Sequence, residues 1–275
     1  MSGTFYVIGT PIGNLGDITL RQLDVIAEVD FICAEDTRVT LKLLNHYDIK
    51  KQLISFHEHS SKADAQRIID RLLSGESCGI VTDAGMPCIS DPGEVLVKMC
   101  AENNIDVKVV PGPSAVVSAV AVSGLSTRRF TFEGFLPVQK KERMERLEKL
   151  RHETAVMVFY EAPHKLKATL ADMSDFFGGE RRISLCRELT KLHEEVLRFT
   201  LAESVEYYNI NDPKGEFVIV LDGAPETLGT EITVEQALEQ VRKLVDMGER
   251  PVDACKAVAK EYGLKKGELY SAFCN

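Results

Sequence analysis

The first 120 or so residues repeat one pattern five times. Each repeat has a short apolar run, then a loop rich in turn-forming and polar residues, and then apolar residues at helical spacing. The predicted strands are Thr4–Ile8, Asp30–Ala34, Ile54–Phe56, Gly79–Val81 and Val107–Val110. Strands that alternate with helices in this way form a parallel sheet, because each helix returns the chain to the same end of the sheet. The pattern therefore predicts an α/β fold with helices on both faces of a parallel sheet.

The loop after the fourth predicted strand is dense in turn-forming and polar residues. It covers Thr82–Gly93 and reads Thr-Asp-Ala-Gly-Met-Pro-Cys-Ile-Ser-Asp-Pro-Gly. Ligands of open parallel sheets bind outside the carboxyl ends of the strands. We therefore expect Asp83, Gly85 and Met86 to face a bound molecule. An ordinary turn, in which Asp91 caps the next helix, explains this stretch equally well when it is taken alone.

Two further loops are predicted at the same edge of the sheet. The first, Gly9–Asp17, has glycines that let the backbone approach a ligand closely, but it contains neither a GxGxxG fingerprint nor a P-loop. The second is Pro111–Ala115, in which Pro113 is expected at the first helical position and Ser114 in the first turn. Backbone N–H groups at the start of this helix are then expected to point towards the sheet edge.

Charged side chains follow the second and third predicted strands. Glu35, Asp36 and Arg38 come after the second strand, and His57 and Glu58 come after the third. Because these strands belong to one sheet, the five side chains are expected to line its carboxyl edge. The alternative for the first three is a cluster at the start of a helix, where the helix dipole favours acidic residues.

No metal site is predicted from the histidines. His57 and His59 flank Glu58, but no third ligand is evident nearby and the spacings typical of zinc sites are absent. A loop that hydrogen-bonds a substrate or caps the next helix is the preferred interpretation.

The sequence changes character after Gly124. Further strands are predicted at Arg128–Phe135, Ala155–Tyr160, Arg182–Arg187, His193–Thr200 and Gly215–Leu221, with a charged helix at Val138–Arg151. The last 45 residues are predicted to be helical, with a capping box at Thr233 and Gln236 and two short helices around Gly263. We expect an N-terminal α/β domain over residues 1–124, a second α/β domain over 125–225 and a helical appendage over 226–275. The appendage resembles a helix-turn-helix, and a small packing appendage is the alternative.

Composition limits the partners of this chain. Its formal net charge of −9 argues against a protein that coats nucleic acid non-specifically, so any RNA contact has to come from a local patch. Arg128–Arg151 is locally positive, although a solvated helix face explains this segment as well. Seven cysteines without a CxxC pair indicate a reduced, cytosolic protein. No apolar stretch approaches the roughly 20 residues that cross a bilayer, so we expect a cytoplasmic protein without a membrane partner.

Several ordered motifs together resemble those of a known family. They are Val7–Thr19, Ala34–Arg38, Ser55–His59, Thr82–Gly93, Val110–Ala115 and Phe159–His164. With these motifs the chain resembles the tetrapyrrole methylase superfamily and, within it, the small-subunit ribosomal RNA methyltransferase I family. The resemblance implies an α/β, two-domain tetrapyrrole methylase fold: a parallel-sheet N-terminal domain, a mixed-sheet second domain and a small helical C-terminal appendage. It also implies 2'-O-methylation of the ribose of a cytidine in the decoding region of 16S ribosomal RNA.

The resemblance implies S-adenosyl-L-methionine as the cofactor, bound in a cleft between the two domains. The contacts that it implies, by position in the motifs, are Pro11, Asp83, Gly85, Met86, Ser114, Ala115, Tyr160, Cys186, Glu216 and Phe217. A carboxylate at Asp83 suits a ligand with an ammonium group and a sulfonium, and backbone amides near Ser114 suit the carboxylate of that ligand.

The general base remains open among several side chains. A positioned base assists a weak nucleophile such as a ribose hydroxyl, and Glu35, Asp36, His57 and Glu58 are the candidates. Arg38 is a candidate for binding phosphates. The expected partners are 16S rRNA within the small ribosomal subunit and, since the superfamily is dimeric, a second copy of the chain.

Two other functions compete with this one. They are a corrin or porphyrin ring methyltransferase and a non-catalytic nucleic-acid-binding protein that uses its C-terminal helices. The appendage and the positive segment favour RNA over a tetrapyrrole, and the loop motifs at one sheet edge favour an enzyme over a binding protein.

Overall fold

A computed structural model of the chain describes residues 2–225, 233–262 and 264–274, without the side chains of residues 260 and 261. The described strands are β1 (Thr4–Ile8), β2 (Phe31–Ala34), β3 (Gln52–Ser55), β4 (Cys78–Val81), β5 (Asp106–Val110), β6 (Phe130–Phe135), β7 (Val156–Glu161), β8 (Arg182–Arg187), β9 (Glu195–Thr200) and β10 (Phe217–Leu221). The described helices are α1 (Leu20–Glu28), α2 (Thr37–His46), α3 (Lys62–Leu73), α4 (Glu94–Glu102), α5 (Ala115–Ser123), α6 (Lys140–Leu150), α7 (Pro163–Phe177), α8 (Leu201–Ile210), α9 (Val234–Asp246), α10 (Pro251–Glu261) and α11 (Lys266–Cys274).

The first five strands form a parallel sheet in the order β3-β2-β4-β1-β5. Successive side chains of a strand point to opposite faces, and helices cover both faces of this sheet. Phe31 of β2 therefore packs into one core with Phe5 and Ile69, and its neighbour Ile32 packs into another with Ile26. All four residues of β2 are completely buried for this reason. The predicted α/β fold with a parallel sheet is confirmed.

The strand order brings the loops that follow β1, β2, β4 and β5 to one edge of the sheet. β4 lies between β2 and β1, so the loop that begins at Thr82 has the β2 loop on one side and the β1 loop on the other. Thr10 and Gly85 join the β1 and β4 loops: each backbone N–H donates to the carbonyl of the other residue, over 2.8 and 3.1 Å. These two loops are thereby held as one structure.

The other five strands form a mixed sheet in the order β6-β7-β10-β8-β9. β6 is parallel to β7, and the remaining pairs are antiparallel. One face packs on α6, α7 and α8 through a core that includes Phe159, Leu185 and Ile219. The opposite face packs on α5, where Ala119 and Val120 enter a core with strand residues of the second sheet. The expected mixed sheet is confirmed.

Helix α5 explains why the two sheets belong to one compact unit. This unit contains the described residues of Met1–Arg151 and Ala155–Asp222, and a second unit contains those of His152–Thr154 and Gly223–Asn275. The boundary expected near residue 124 separates the two sheets along the sequence, but α5 packs against the second sheet. The three-domain division stays a prediction.

The second unit has a small core of its own. α9, α10 and α11 bury Val241, Cys255, Val258 and Leu269, among others. The capping box predicted at Thr233 is present: its hydroxyl accepts from the N–H of Gln236, whose side chain accepts from the N–H of Thr233. The predicted turn at residue 263 and the predicted start of the appendage at residues 226–232 lie outside the described residues. In the described ranges, no helix is both long enough and apolar enough to span a membrane.

Candidate active site

A recess of the first unit lies where the carboxyl edge of the parallel sheet faces the mixed sheet. It consists of two cavities of about 320 and 380 Å³, which share Ile12, Ala84, Asp91, Ala115 and Tyr160 in their walls. We call these two adjoining cavities the main cleft. Cavities of this size accommodate small-molecule ligands.

Close backbone packing positions the loops beside the main cleft. A Cβ atom on Gly9 would lie 2.8 Å from the Cα of Gly112, so only glycine fits at this contact. Completely buried Gln22 donates from its side-chain amide to the carbonyl of Gly9 over 2.6 Å. Gly85 has a φ of +90°, a conformation that favours glycine, and it lines the cleft together with Met86. The sequence predicted both residues at a ligand.

The start of α5 also borders the main cleft, two residues after Pro113, the expected first helical position. Ser114 is the N-cap of α5, because its hydroxyl accepts from the N–H of Val117 over 3.4 Å and the helix begins at Ala115. The expectation of Pro113 at the first helical position and Ser114 in the first turn is therefore wrong. The first helical hydrogen bond is donated by the N–H of Ser118, so the N–H of Ala115 precedes it and remains available at the cleft.

The mixed sheet supplies an aromatic wall of the cleft. Tyr160 packs edge-on against Phe132 with ring centroids 5.0 Å apart, and Phe135 lies 5.5 Å from the same ring. Burial and, secondarily, the charge of Asp91 raise the pKa of Tyr160 to about 12. Burial likewise raises the pKa of the Cys186 thiol to about 11. Both groups are therefore neutral at neutral pH.

Two predicted contacts differ in how they reach the cleft. Phe217 lines it as a buried ring, while Glu216 lines it from an exposed position. The carboxylate of Glu216 is paired with Lys191 at 2.9 Å, and the same ammonium group pairs with Glu188 at 2.9 Å. The side-chain stem of Lys191 also packs on Gly13 of the β1 loop, so this ion cluster ties the mixed sheet to that loop.

Asp91 is a site residue that sequence reasoning missed. It lines both cavities of the main cleft, where it is half-buried. Burial, followed by the negative charge of Glu35, raises the pKa of Asp91 to about 6, although a hydrogen bond with Thr82 acts in the opposite direction. The alternative role considered for it, the N-cap of α4, is wrong because Gly93 occupies that position. Its position in the same polar loop as Asp83 could have indicated that Asp91 faces the cleft.

A second cavity of about 200 Å³ lies beside the main cleft. Its walls are formed by Thr10, Pro11, Leu15, Val39, Thr40, Lys42, Leu43, Thr82 and Asp83. We call it the second cavity. Pro11 and Asp83, which the family resemblance implies as cofactor contacts, line this cavity, while the next residues in the chain, Ile12 and Ala84, line the main cleft. The two spaces therefore adjoin along these two loops.

The structure brings three of the catalytic candidates close to Asp83. The hydroxyl of Thr82 donates to Glu35 over 2.6 Å, and the N–H of Asp36 donates to Asp83 over 3.2 Å. Asp36 also pairs with Arg38 at 2.6 Å, and hydrogen bonds from Arg38 lower the pKa of Asp36 to about 2. The predicted grouping of these side chains at the sheet edge is correct.

His57 and Glu58 lie apart from this group. Both are exposed and follow β3, the edge strand of the parallel sheet. His57 accepts from the N–H of His59 over 3.2 Å, and His59 contacts Glu58 at 3.2 Å. None of the five catalytic candidates lines the main cleft or the second cavity. Across the described residues, no group of three or more His, Cys, Asp or Glu side chains is placed to hold a metal ion.

Much of the positive charge predicted around α6 is neutralised within the protein. Arg143 is almost buried and pairs with buried Asp172 at 2.6 Å, and Lys140 lies 3.7 Å from the same carboxylate. Arg146 pairs with Glu133 at 2.5 Å. Arg143 is therefore a structural residue, and the surface charge available to RNA is smaller than the sequence indicates.

Comparison with known proteins identifies the family. A family model described as Tetrapyrrole (Corrin/Porphyrin) Methylases matches residues 4–205. A curated relative from Halalkalibacterium halodurans, named ribosomal RNA small subunit methyltransferase I, is 44% identical over 274 residues, which cover 98% of this chain and 94% of the relative. The chain belongs to the ribosomal RNA small subunit methyltransferase I family of tetrapyrrole methylases. A protein of the same name from Synechocystis sp. is 42% identical over 268 residues, covering 98% of this chain and 96% of that protein.

Solved structures with low sequence identity to this chain share its fold. A diphthine synthase matches with a TM-score of 0.62 at 13% identity, covering 80% of this chain and 90% of that one. A cobalt precorrin-4 methyltransferase matches with a TM-score of 0.57 at 16% identity, covering 79% and 94%. The family resemblance seen in the motifs is confirmed, and a corrin or porphyrin substrate is the less supported alternative.

Proposed function

We propose that this chain transfers a methyl group from S-adenosylmethionine to the 2'-hydroxyl of a cytidine in the decoding region of 16S ribosomal RNA. The observation that carries the proposal is its identity of 42 to 44% over nearly the full length with relatives named as small-subunit rRNA methyltransferases. The main cleft supports it, because its walls match the chemical groups of the methyl donor.

The donor set of the main cleft fits S-adenosylmethionine. When bound, this cofactor supplies a methyl group on a positively charged sulfur. Asp91 offers a carboxylate to the cationic end of the ligand, and the N–H of Ala115 at the start of α5 offers a donor to its carboxylate. The rings of Tyr160 and Phe135 offer aromatic faces, which attract a sulfonium and stack on a nucleobase. The remaining contacts in this proposal are Gly85, Met86, Ser114, Cys186, Glu216 and Phe217.

Positioning accounts for most of the rate that this chain has to provide. Holding two reactants in near-attack geometry supplies about 7–11 kcal/mol of the barrier. Buried Gln22 and the Thr10–Gly85 pair fix the β1 loop, and the close contact of Gly9 with Gly112 fixes the β5 loop against it.

The RNA partner is proposed as 16S rRNA within the small ribosomal subunit, in the cytoplasm, with the chain acting as a homodimer. With a net charge of −9, one chain has little basic surface for RNA. A dimer would combine the positive patches of two copies into a longer track, and folded RNA offers many backbone contacts along it. Assembled small subunits are therefore expected to be methylated much faster than cytidine or a short oligonucleotide.

Mass spectrometry of 16S rRNA from a deletion strain tests the proposed function. Loss of this chain is expected to remove one ribose methyl group from one cytidine, and reintroduced wild-type chain restores it. The Asp91→Asn variant is expected to restore it poorly, whereas Asp24→Asn, a change on an exposed face of α1, restores it fully. An unchanged methylation pattern in the deletion strain would contradict the proposal.

A further inference from the structure

The second cavity adjoins the main cleft along the two joined loops. Pro11 lines the second cavity and Ile12 the main cleft, and Asp83 and Ala84 divide in the same way. Since each of these pairs consists of neighbours in the chain, a group in the second cavity lies close to a ligand in the main cleft. A reaction between two molecules needs such a pair of adjoining sites.

The lining of the second cavity matches a nucleotide. Val39, Lys42 and Leu43 lie three and four residues apart, so they present one face of α2 to the cavity. Pro11 and Leu15 form the facing apolar wall, and the hydroxyl of Tyr47 donates to the carbonyl of Leu15 over 2.6 Å.

Two cationic side chains border the second cavity. Exposed Lys42 is one of its lining residues, and Arg38 is one helical turn earlier on α2 with 86% of its side chain exposed. An apolar slot with cations beside it suits a sugar and base with their adjoining phosphate.

Asp83 is the carboxylate at this cavity that remains available. Asp36 is held by Arg38, and Glu35 accepts from the hydroxyl of Thr82. One carboxylate oxygen of Asp83 accepts from the N–H of Asp36, while its second oxygen makes no hydrogen bond to any described residue. Asp83 therefore has an acceptor free at the wall of the second cavity.

We propose that the second cavity receives the target nucleotide and that Asp83 accepts the proton of its 2'-hydroxyl. This inference rests on the proposed function. The hydroxyl oxygen forms a bond to the methyl carbon as the carbon–sulfur bond breaks. The electron pair of that bond stays on sulfur, which becomes a neutral thioether, and the proton moves to the carboxylate of Asp83. The proposal gives Asp83 a role at the acceptor, whereas the motif resemblance implies a contact with the cofactor.

Electrostatics around Asp83 agree with this role. Desolvation and then the negative charge of Glu35 raise the pKa of Asp83, and Asp36 raises it further, while the N–H of Asp36 and the charge of Arg38 act in the opposite direction. Lys42 lines the same cavity, and Asp91 faces the cluster from the loop before α4. A carboxylate whose pKa is raised towards neutrality is a stronger base.

Asp83→Asn separates the two roles of this residue. Because the substitution keeps shape and removes only charge, S-adenosylmethionine affinity measured by calorimetry is expected to stay within about twofold, while the single-turnover rate on small subunits falls about 10²- to 10⁴-fold. The wild-type rate is expected to rise with pH as Asp83 ionises, and this rise is expected to be absent in Asp83→Asn. Asp91→Asn is the matched control: it lowers cofactor affinity and keeps that rise. A large loss of cofactor affinity in Asp83→Asn, or an unchanged rate, overturns the inference.

Lys42→Glu tests occupancy of the second cavity without a turnover measurement. Binding of small subunits is expected to weaken at least tenfold with cofactor affinity unchanged, whereas Lys108→Glu on exposed edge strand β5 leaves both unchanged. Equal RNA binding by wild type and Lys42→Glu overturns the inference. If the wild-type chain does not methylate small subunits at all, the proposed function fails instead, so the two failures are distinguishable.

Discussion

The main cleft and the second cavity lie on opposite sides of the same two loops, yet they differ in chemistry. The main cleft has an aromatic and thiol wall from the mixed sheet, and its lining includes half-buried Asp91. Two further carboxylates line it, Glu161, which accepts from the hydroxyl of Thr169, and Glu216, which is paired with Lys191. The second cavity is built by the parallel-sheet half alone and is bordered by exposed charges, among them Lys42 and Asp83. A cleft with aromatic walls and a carboxyl at Asp91 suits a compact cationic cofactor, and a cavity bordered by exposed charges suits part of a large polyanion. This difference is the basis of the proposed donor side and acceptor side.

Asp91→Asn tests the donor side and is expected to have the largest effect on cofactor binding. A hydrogen bond to a charged group contributes about 1.5–3 kcal/mol, so the affinity for S-adenosylmethionine should fall about 10- to 150-fold. Calorimetry on wild type, Asp91→Asn and the exposed control Asp24→Asn measures this. Equal affinities for the three proteins would remove Asp91 from the donor site.

The pH dependence of cofactor binding sharpens the same assignment. A cationic ligand binds the ionised carboxylate, and the pKa of Asp91 is raised to about 6. Affinity is therefore expected to be highest above pH 6. Below pH 6 it is expected to fall, at a rate that approaches about tenfold per pH unit. Asp91→Asn should abolish this dependence, while Asp83→Asn should retain it. A wild-type affinity that is constant from pH 5 to pH 8 would contradict the assignment.

Substitutions of Tyr160 measure the contribution of the aromatic wall. Tyr160→Leu removes the ring and is expected to weaken cofactor binding by about 0.5–1.5 kcal/mol, or 2- to 12-fold. Tyr160→Phe keeps the ring contacts with Phe132 and Phe135 and should bind like wild type, because the phenol is neutral at neutral pH. If both variants weaken binding equally, the hydroxyl rather than the ring is responsible.

The smallest expected effect concerns α6. Replacing Lys140 and Lys141 with Glu should reduce the salt dependence of RNA binding. The slope of the logarithm of the binding constant against the logarithm of salt concentration should become shallower by about 0.7–0.9 for each phosphate that these side chains neutralise in the wild type. Arg143 is left in place because it pairs with buried Asp172, and its loss would destabilise the fold. A slope identical to that of wild type would mean that this helix is only solvated and that the second cavity and other surfaces hold the RNA.

Local patterns were sufficient for most of the fold. Thr4–Ile8, Lys62–Leu73 and Arg182–Arg187 begin and end as predicted, because each combines clear periodicity with a turn or capping residue at its ends. Helix α8 was missed. Strand β9 passes directly into it at Thr200, with no glycine or proline between them. The capping box of Thr200 with Glu203 was the available signal.

The division of the site into two sides could not be predicted from sequence. Asp83 and Ala84 are neighbours that line different spaces, and this depends on the Thr10–Gly85 pairing and on the φ of +90° at Gly85. The role of Asp91 depends in the same way on Gly93, which takes the N-cap position and leaves the carboxyl at the cleft. Motifs place residues at the sheet edge, while tertiary contacts decide which space each one faces.

A crystal structure of the chain with S-adenosylhomocysteine tests the donor and acceptor assignment most directly. The account predicts ligand density in the main cleft, with the amino group beside Asp91, the carboxylate at the start of α5 near Ala115 and the adenosine against Tyr160. Asp83 is then expected to line the adjoining second cavity, without a hydrogen bond to the ligand. Density in the second cavity, with the amino group bound to Asp83, would contradict the account.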